Sequence, residues 1–297
     1  MFKVPVTYVM DFLRPRRDKL NCFLMQELYD LGARHLVLTD TLIEEIKMDS
    51  RGDLADLLMQ QLADHGLDFV DAHAPFGPRL DLCCPFKNYR DIMLSSGKLA
   101  LDICHYMGVK TICFHTGNWQ PIPGIHLVLE DYIKLTEDAL AELLPHAEKN
   151  DCIICIENIW FPNNTPEVLL AIKEKFPTKY LGFCYDSGHA NLMDKGRLYT
   201  DAQAERAWKD LGLQIPWDDH ILEKMLPHVV NCHLHDNDGT DDMHITPGKG
   251  NVDWPHIVSL LNQAPRLTSI QSEVGPIGRH CSFKEITDAF KWLDTNF

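Results

Sequence analysis

VVNCHLHDN, residues 229–237, is an apolar run that ends in His233, His235 and Asp236. Consecutive apolar residues without alternation mark a strand buried on both faces, and the abrupt change to polar residues marks where the chain leaves a sheet. The same pattern recurs outward from this stretch. Upstream, YLGFCYD (180–186) ends in Asp186 with His189 three residues later, CIICIE (152–157) ends in Glu157, TICFH (111–115) ends in His115, and LDFVDA (67–72) carries Asp71 just before His73. Downstream, TSIQSE (268–273) ends in Glu273. With VPVTYV (4–9) and HLVL (35–38) the candidate strands number eight. Between them lie helical patterns: Leu54, Leu57, Leu58, Gln61 and Leu62 share one face, and 127–143 forms another. Thr165-Pro166-Glu167 and Asp253-Trp254-Pro255 read as helix starts, each with a capping residue and an early proline.

Eight strands alternating with helices, with no linker between, predict an α/β fold: one (β/α)8 TIM barrel over residues 1–297. A doubly wound open sheet is the other arrangement. It would ordinarily offer a glycine-rich phosphate loop after the first strand, and VPVTYVMDFL has no glycine. In a barrel the polar strand ends converge on one mouth, which is where barrel active sites are built.

The formal charge of -15 repels a phosphate backbone, so duplex DNA is a disfavoured partner. No run of eighteen apolar residues suggests a membrane span, and the basic FLRPRRDKL follows a short apolar segment instead of preceding a long one, so a cytoplasmic protein is expected. The ten cysteines lie mostly in or beside apolar runs and read as small buried hydrophobes in a reducing compartment. Cys152 and Cys155 spell CxxC, but on a strand they point to opposite faces. Cys83 and Cys84 fall in a loop and suggest no function.

Glu157, Asp186, His233 and Glu273, at the ends of strands five to eight, would repel one another or stay unsatisfied unless a cation sat among them. Oxygen and nitrogen donors without thiolate fit Mn²⁺, Zn²⁺, Co²⁺ or Mg²⁺, and imidazole argues against Ca²⁺. His189, with Asp242 and His244 from the loop GTDDMHITPGKG, forms a second donor group; surface aspartates beside an unrelated histidine are the alternative. His73 and His115 form a third, and either alone would equally serve as a hydrogen-bonded histidine at the rim.

DAHAP (71–75), FHTG (114–117), IEN (156–158), YDSGH (185–189), CHLHDN (232–237), DMHITPGKG (242–250) and SEVG (272–275) together resemble the xylose-isomerase-like TIM barrels. That superfamily contains sugar and sugar-phosphate isomerases and epimerases, inosose-processing enzymes and the endonuclease IV apurinic nucleases. The resemblance runs from about residue 70 to 275. In the epimerase branch it implies one divalent metal on Glu157, Asp186, His233 and Glu273. In the nuclease branch it implies a trinuclear zinc set that adds His73, His115, His189, Asp242 and His244. All nine match by type, a pattern that many isomerases share, while Leu234-His235-Asp236-Asn237 is closer to the isomerase-like spelling.

The favoured expectation is therefore a metal-dependent sugar isomerase or epimerase of carbohydrate metabolism. A hydroxy-ketone or aldose chelates the metal, Glu157 and Glu273 move the proton as base and acid through an ene-diolate, and His189 steadies a substrate oxygen. The alternatives are a zinc-dependent apurinic endonuclease and a barrel that binds metal or sugar without catalysis. The mouth loops 75–90, 116–126 and 158–164 carry only Arg79, Lys87 and Arg90, a weak footprint for DNA. They also carry Phe76, Trp119, Trp160 and Phe161, which suit the apolar face of a small sugar or polyol or else pack the rim. Trp119, Asn158 and Trp160 are the candidate substrate contacts. Lys249 and Arg279 are candidate anion contacts, or members of loop ion pairs. Apolar loops and acidic charge also fit a homo-oligomer.

Overall fold

In the computed structural model, which describes residues 2–10, 18–194, 202–275 and 281–297, the eight apolar runs pair in chain order. The strands are β1 (Val6–Tyr8), β2 (His35–Leu38), β3 (Asp68–His73), β4 (Thr111–Phe114), β5 (Ile153–Glu157), β6 (Leu181–Asp186), β7 (Val229–Leu234) and β8 (Ser269–Ser272). Each lies parallel to the next, and β8 returns to β1 with Thr7 opposite Gln271, closing the barrel. The (β/α)8 expectation is met and the open sheet is excluded. β1 is shorter than its apolar run, and the strand ends shift so that His73 lies within β3 while His115, His235 and Glu273 lie just beyond β4, β7 and β8.

The predicted helices are present at Leu54–Asp64 and Leu129–Lys149. Asp253 caps the helix Trp254–Leu261 by accepting from the His256 amide. Thr165 stands at the cap position of Pro166–Lys175 without a capping bond; its hydroxyl turns to Glu167 instead. Leu28, Leu143 and Leu293 from three helices are fully buried against the sheet, each contributing about 1.5–3 kcal/mol of hydrophobic stabilisation.

Asp71, one of the polar positions near a strand end, lies inside the barrel instead of at its mouth. Its carboxylate accepts from the Ala72 amide, Thr111 Oγ1, Asn231 Nδ2 and Ser269 Oγ, tying β3, β4, β7 and β8 together, while burial pushes its carboxyl up. Cys152 packs in the outer core, whereas Cys155 clusters with Cys113 and Cys184, so the CxxC pair does straddle the sheet. All ten cysteines are free thiols, with Cys83 and Cys84 buried beneath their loop.

Candidate metal centre

Parallel strands ending at one level bring Glu157, Asp186, His233 and Glu273 together: one donor atom from each lies within 4.8 Å of all the others. His233 Nδ1 is 3.3 Å from Glu157 Oε1 and 3.4 Å from Glu273 Oε1. Asp186 ends β6 and begins the helix Ser187–Met193, where its Oδ1 accepts from the His189 amide at 2.6 Å. That single turn swings the His189 ring back, with Nδ1 3.2 Å from Glu157 Oε1. Asn158, expected to contact substrate, has its amide engaged on both sides by the Asp186 backbone, and so orients this carboxylate.

The second predicted group forms and gains a member. His189, Asp242 and His244 are joined by His235, all with donor atoms within 4.8 Å. Asp242 Oδ2 lies 3.0 Å from His244 Nε2, and His244 takes the left-handed region (φ 46°) and directs its Nδ1–H to the Glu273 carbonyl. His235 is fully buried, with Nε2 3.1 Å from Asp186 Oδ2 and its ring stacked on His244 at 3.9 Å. Its signal was parity, because residues 233 and 235 share one face of an extended chain. Asp236, of opposite parity, is a structural hub: it accepts from the Asn237, Gly248 and Val252 amides and from Trp254 Nε1, folding the following loop back under the mouth.

The third group also changes. His73 and Glu157 gather with Cys113 and His233, their donor atoms within 4.8 Å, while His115 Nε2 lies 3.1 Å from Glu157 Oε2. Cys113 Sγ is 3.5 Å from that same oxygen. Glu157, Asp186, His233 and Glu273 form a group free of thiol, as expected; Cys113, two residues before His115 and facing the same interior, adds a sulfur only to the group around His73.

Over residues 26–273 the sequence matches the family described as xylose isomerase-like TIM barrel. The chain belongs to this family. It is 29% identical over 212 residues to the uncharacterised protein MJ1311 of Methanocaldococcus jannaschii, a match covering 69% of this chain and 64% of the relative. The chain thus spans less than two thirds of that relative's length. Among solved structures it is similar to a xylose isomerase-like TIM barrel protein from Mycobacterium smegmatis in complex with magnesium (TM-score 0.69, 15% identity, covering 99% of this chain and 97% of the other). It is also similar to the 3-keto-D-glucoside 4-epimerase YcjR from E. coli (TM-score 0.68, 14% identity, covering 99% and 100%).

Whether a divalent cation fits this family member is decided by its own buried atoms. Both ring nitrogens of His233, His235 Nδ1, Glu157 Oε1, Asp242 Oδ1 and Glu273 Oε2 find no hydrogen-bond partner among the described residues. Each such atom costs about 1–3 kcal/mol when left unpaired, so six in one cluster are suited to a shared cation. Burial pushes the Glu157 carboxyl up, but the His233 charge and the close approach of the His115, His189 and His233 rings outweigh it and hold it well below the usual range. Asp186 is likewise held down to about 2 against burial by the His189 and His235 charges. Glu273 goes the other way: burial, helped by the negative charges of Asp186 and Glu157, raises it despite His233 and His244. Burial opposes charge on His244, yet Asp242 and Glu273 push it up to about 9. Carboxylates and imidazoles crowded this closely fit a cation.

Above the donors opens a cavity of about 670 Å³, lined by His73, Phe76, His115, Trp160, His189 and Glu273 among others. Trp160 meets His189 edge-on at 4.9 Å, and Phe76 lies 4.6 Å from the His115 ring. Trp119 is half-buried in its loop, its amide bonded to Asn163 Oδ1, and is not among the lining residues. Lys249 lies outside the cavity in an exposed ion pair with Glu285 at 3.3 Å, which is the loop-pair alternative. Arg279 lies outside the described residues.

Proposed function

We propose that this chain is a divalent-metal-dependent isomerase or epimerase of a small sugar, inosose or sugar phosphate. The observation that carries the proposal is the pairing of Glu157 and Glu273, whose carboxylates approach within 4.8 Å, Glu157 buried and Glu273 lining a cavity large enough for a small sugar. Glu157, Asp186, His233 and Glu273 would hold the metal, whose Lewis acidity would acidify the proton beside a substrate carbonyl and stabilise an ene-diolate. Mn²⁺, Zn²⁺, Co²⁺ and Mg²⁺ all suit this oxygen-rich group.

The chain's own residues supply the rest. Glu157, at the end of β5, and Glu273, beyond β8, flank the reacting carbon from two sides, one taking the proton and the other returning it. His189 is fixed by its Asp186 cap and offers its ring to a substrate oxygen. Trp160 packs on His189 and closes that side of the cavity, covering the apolar face of a ring while water is excluded. All ten cysteines are free, the state that the cytoplasm maintains, and no helix among the described residues is long and apolar enough to cross a membrane.

The apurinic-nuclease reading is favoured by one observation, the additional donor groups around His73, His115, His189, Asp242 and His244. The mouth argues against it. Of the three cations in its loops, Arg90 is bound to the carbonyls of Leu82, Cys84 and Leu135, which leaves the exposed Arg79 and Lys87, too few to follow a duplex backbone. Incubating metal-loaded protein with ketoses, inososes and their phosphates in deuterated water, beside an abasic duplex, separates the two. Enzyme-dependent deuterium incorporation that is lost in Glu157→Gln is expected. Efficient duplex cleavage with no exchange into any sugar would overturn the proposal.

A further inference from the structure

We infer that Cys113 is a metal ligand, its sulfur joining His73, Glu157 and His233 to hold a thiophilic divalent ion on the β3–β4 side of the site. The inference rests on metal binding in the proposed function, and not on its sugar chemistry. Three observations carry it. One donor atom from each of these four residues lies within 4.8 Å of all the others, and the sulfur itself is 3.5 Å from Glu157 Oε2. A tetrahedral ion with bonds of about 2.0–2.3 Å needs ligand separations of about 3.3–3.8 Å, so small side-chain adjustments complete the cage.

The second observation is His233, fully buried with neither ring nitrogen hydrogen-bonded among the described residues. Nδ1 faces Glu157 Oε1 and Glu273 Oε1, and Nε2 is its second free nitrogen; neutral imidazole has one lone pair, so His233 serves one ion at a time unless its remaining ring proton is also released to solvent. The third is the tautomer of His73. Its Nδ1 lies 2.8 Å from the Ala74 carbonyl, which can only accept, so the proton is on Nδ1 and the Nε2 lone pair is left for the cluster. A backbone carbonyl that fixes the ring in this way is the usual support of a metal-binding histidine.

Glu157 has the geometry of a bridge between two donor groups. Its Oε1 faces His189 and His233, while its Oε2 faces Cys113 and His115. The group containing Asp186 and Glu273 is rich in oxygen and suits a hard ion. The Cys113 group offers sulfur and imidazole, which select zinc or cobalt and discriminate against magnesium. Binding deprotonates the thiol and releases its proton to solvent, so the thiolate and the Glu157 carboxylate together balance a divalent charge.

Cobalt titration of the metal-free full chain tests this, read by absorption and by elemental analysis together. A near-ultraviolet sulfur-to-cobalt charge-transfer band is expected, lost in Cys113→Ser and retained in Cys184→Ser, whose thiol is a close interior neighbour. Zinc-loaded wild type supplies a measurement that needs no variant: its X-ray absorption should show a sulfur scatterer at about 2.3 Å. Bound cobalt without the band, zinc without the sulfur shell, or a band that survives Cys113→Ser overturns the sulfur ligand while leaving the oxygen-rich site standing. Failure to bind any cobalt or zinc overturns both this inference and the metal dependence of the proposed function.

Discussion

Gly188→Ala should destabilise the protein, although helix propensity alone argues the opposite. Gly188 lies in the helix Ser187–Met193, where alanine would ordinarily gain about 1 kcal/mol. Here a Cβ would land 1.9 Å from His235 Cε1 and 2.5 Å from its Nδ1, against an ordinary contact of at least 3.4 Å. The ring cannot easily yield. It is fully buried, stacked on His244, bonded to Asp186 Oδ2 and anchored at its backbone by a reciprocal pair of hydrogen bonds with Ser187 Oγ. Displacing it adds about 1–3 kcal/mol of overpacking strain and forfeits a charge-assisted hydrogen bond of about 1.5–3 kcal/mol. After the propensity gain the net loss is about 3 kcal/mol, or about 5 °C in Tm for a chain of this length. Urea denaturation of metal-free protein measures it. The cross-check is Gly188→Ala combined with His235→Ala, in which the clash has no partner and the double variant should be at least about 1.5 kcal/mol better than additive. A Gly188→Ala protein as stable as wild type, or a strictly additive double variant, would refute the reasoning.

Elemental analysis after metal loading should find less bound metal in Glu157→Gln and in Glu273→Gln than in wild type; unchanged content in both would remove them from the ligand set. Asp236→Ala leaves four donors without their acceptor, three of them on the buried residues Asn237, Val252 and Trp254, and a loss of about 3–5 kcal/mol is expected, with faster hydrogen exchange at the Gly248 and Val252 amides. An unchanged midpoint would show that the loop does not depend on this hub. Burial, with the Arg266 charge, lowers Lys173 from 10.5 to about 8. Between about pH 8 and 10.5 the unfolded chain then holds the extra proton, so stability rises with pH through that window. Lys173→Met, which also forfeits the hydrogen bond from Lys173 Nζ to the Thr178 carbonyl, should accordingly lose ground to wild type as pH rises from about 8 to 10.5; a pH-independent difference would contradict the assignment.

The barrel was legible because parallel strands buried on both faces leave uninterrupted apolar runs, and a change to carboxylate or imidazole at or near the end of six of the eight marks the mouth. What that reading missed follows from parity. Side chains two residues apart in a strand share a face, so the position before each mouth residue lies one pleat deeper in the barrel. Counting back from His115, Glu157 and Asp186 reaches Cys113, Cys155 and Cys184, which cluster with Val230 inside the barrel. A cysteine in an apolar run reads the same whether it faces the interior or the helices, which is why Cys113 passed for core and Cys152, of opposite parity to Cys155, did not differ from it. The same rule separates His235 from Asp236: adjacent in the sequence and alike in polarity, one joins the donors and the other holds the loop. Lys249 shows the complementary limit, since its pairing with Glu285 is set by how a loop meets a distant helix, and no local pattern encodes that. The interior is therefore graded. Asp71, held by Thr111, Asn231 and Ser269, occupies a deep polar layer, small thiols separate it from the mouth, and the charged donors stand above them. That thiol layer keeps the buried carboxyl of Asp71 away from the Glu157 cluster, and it also places one sulfur, Cys113, close enough to take part in it.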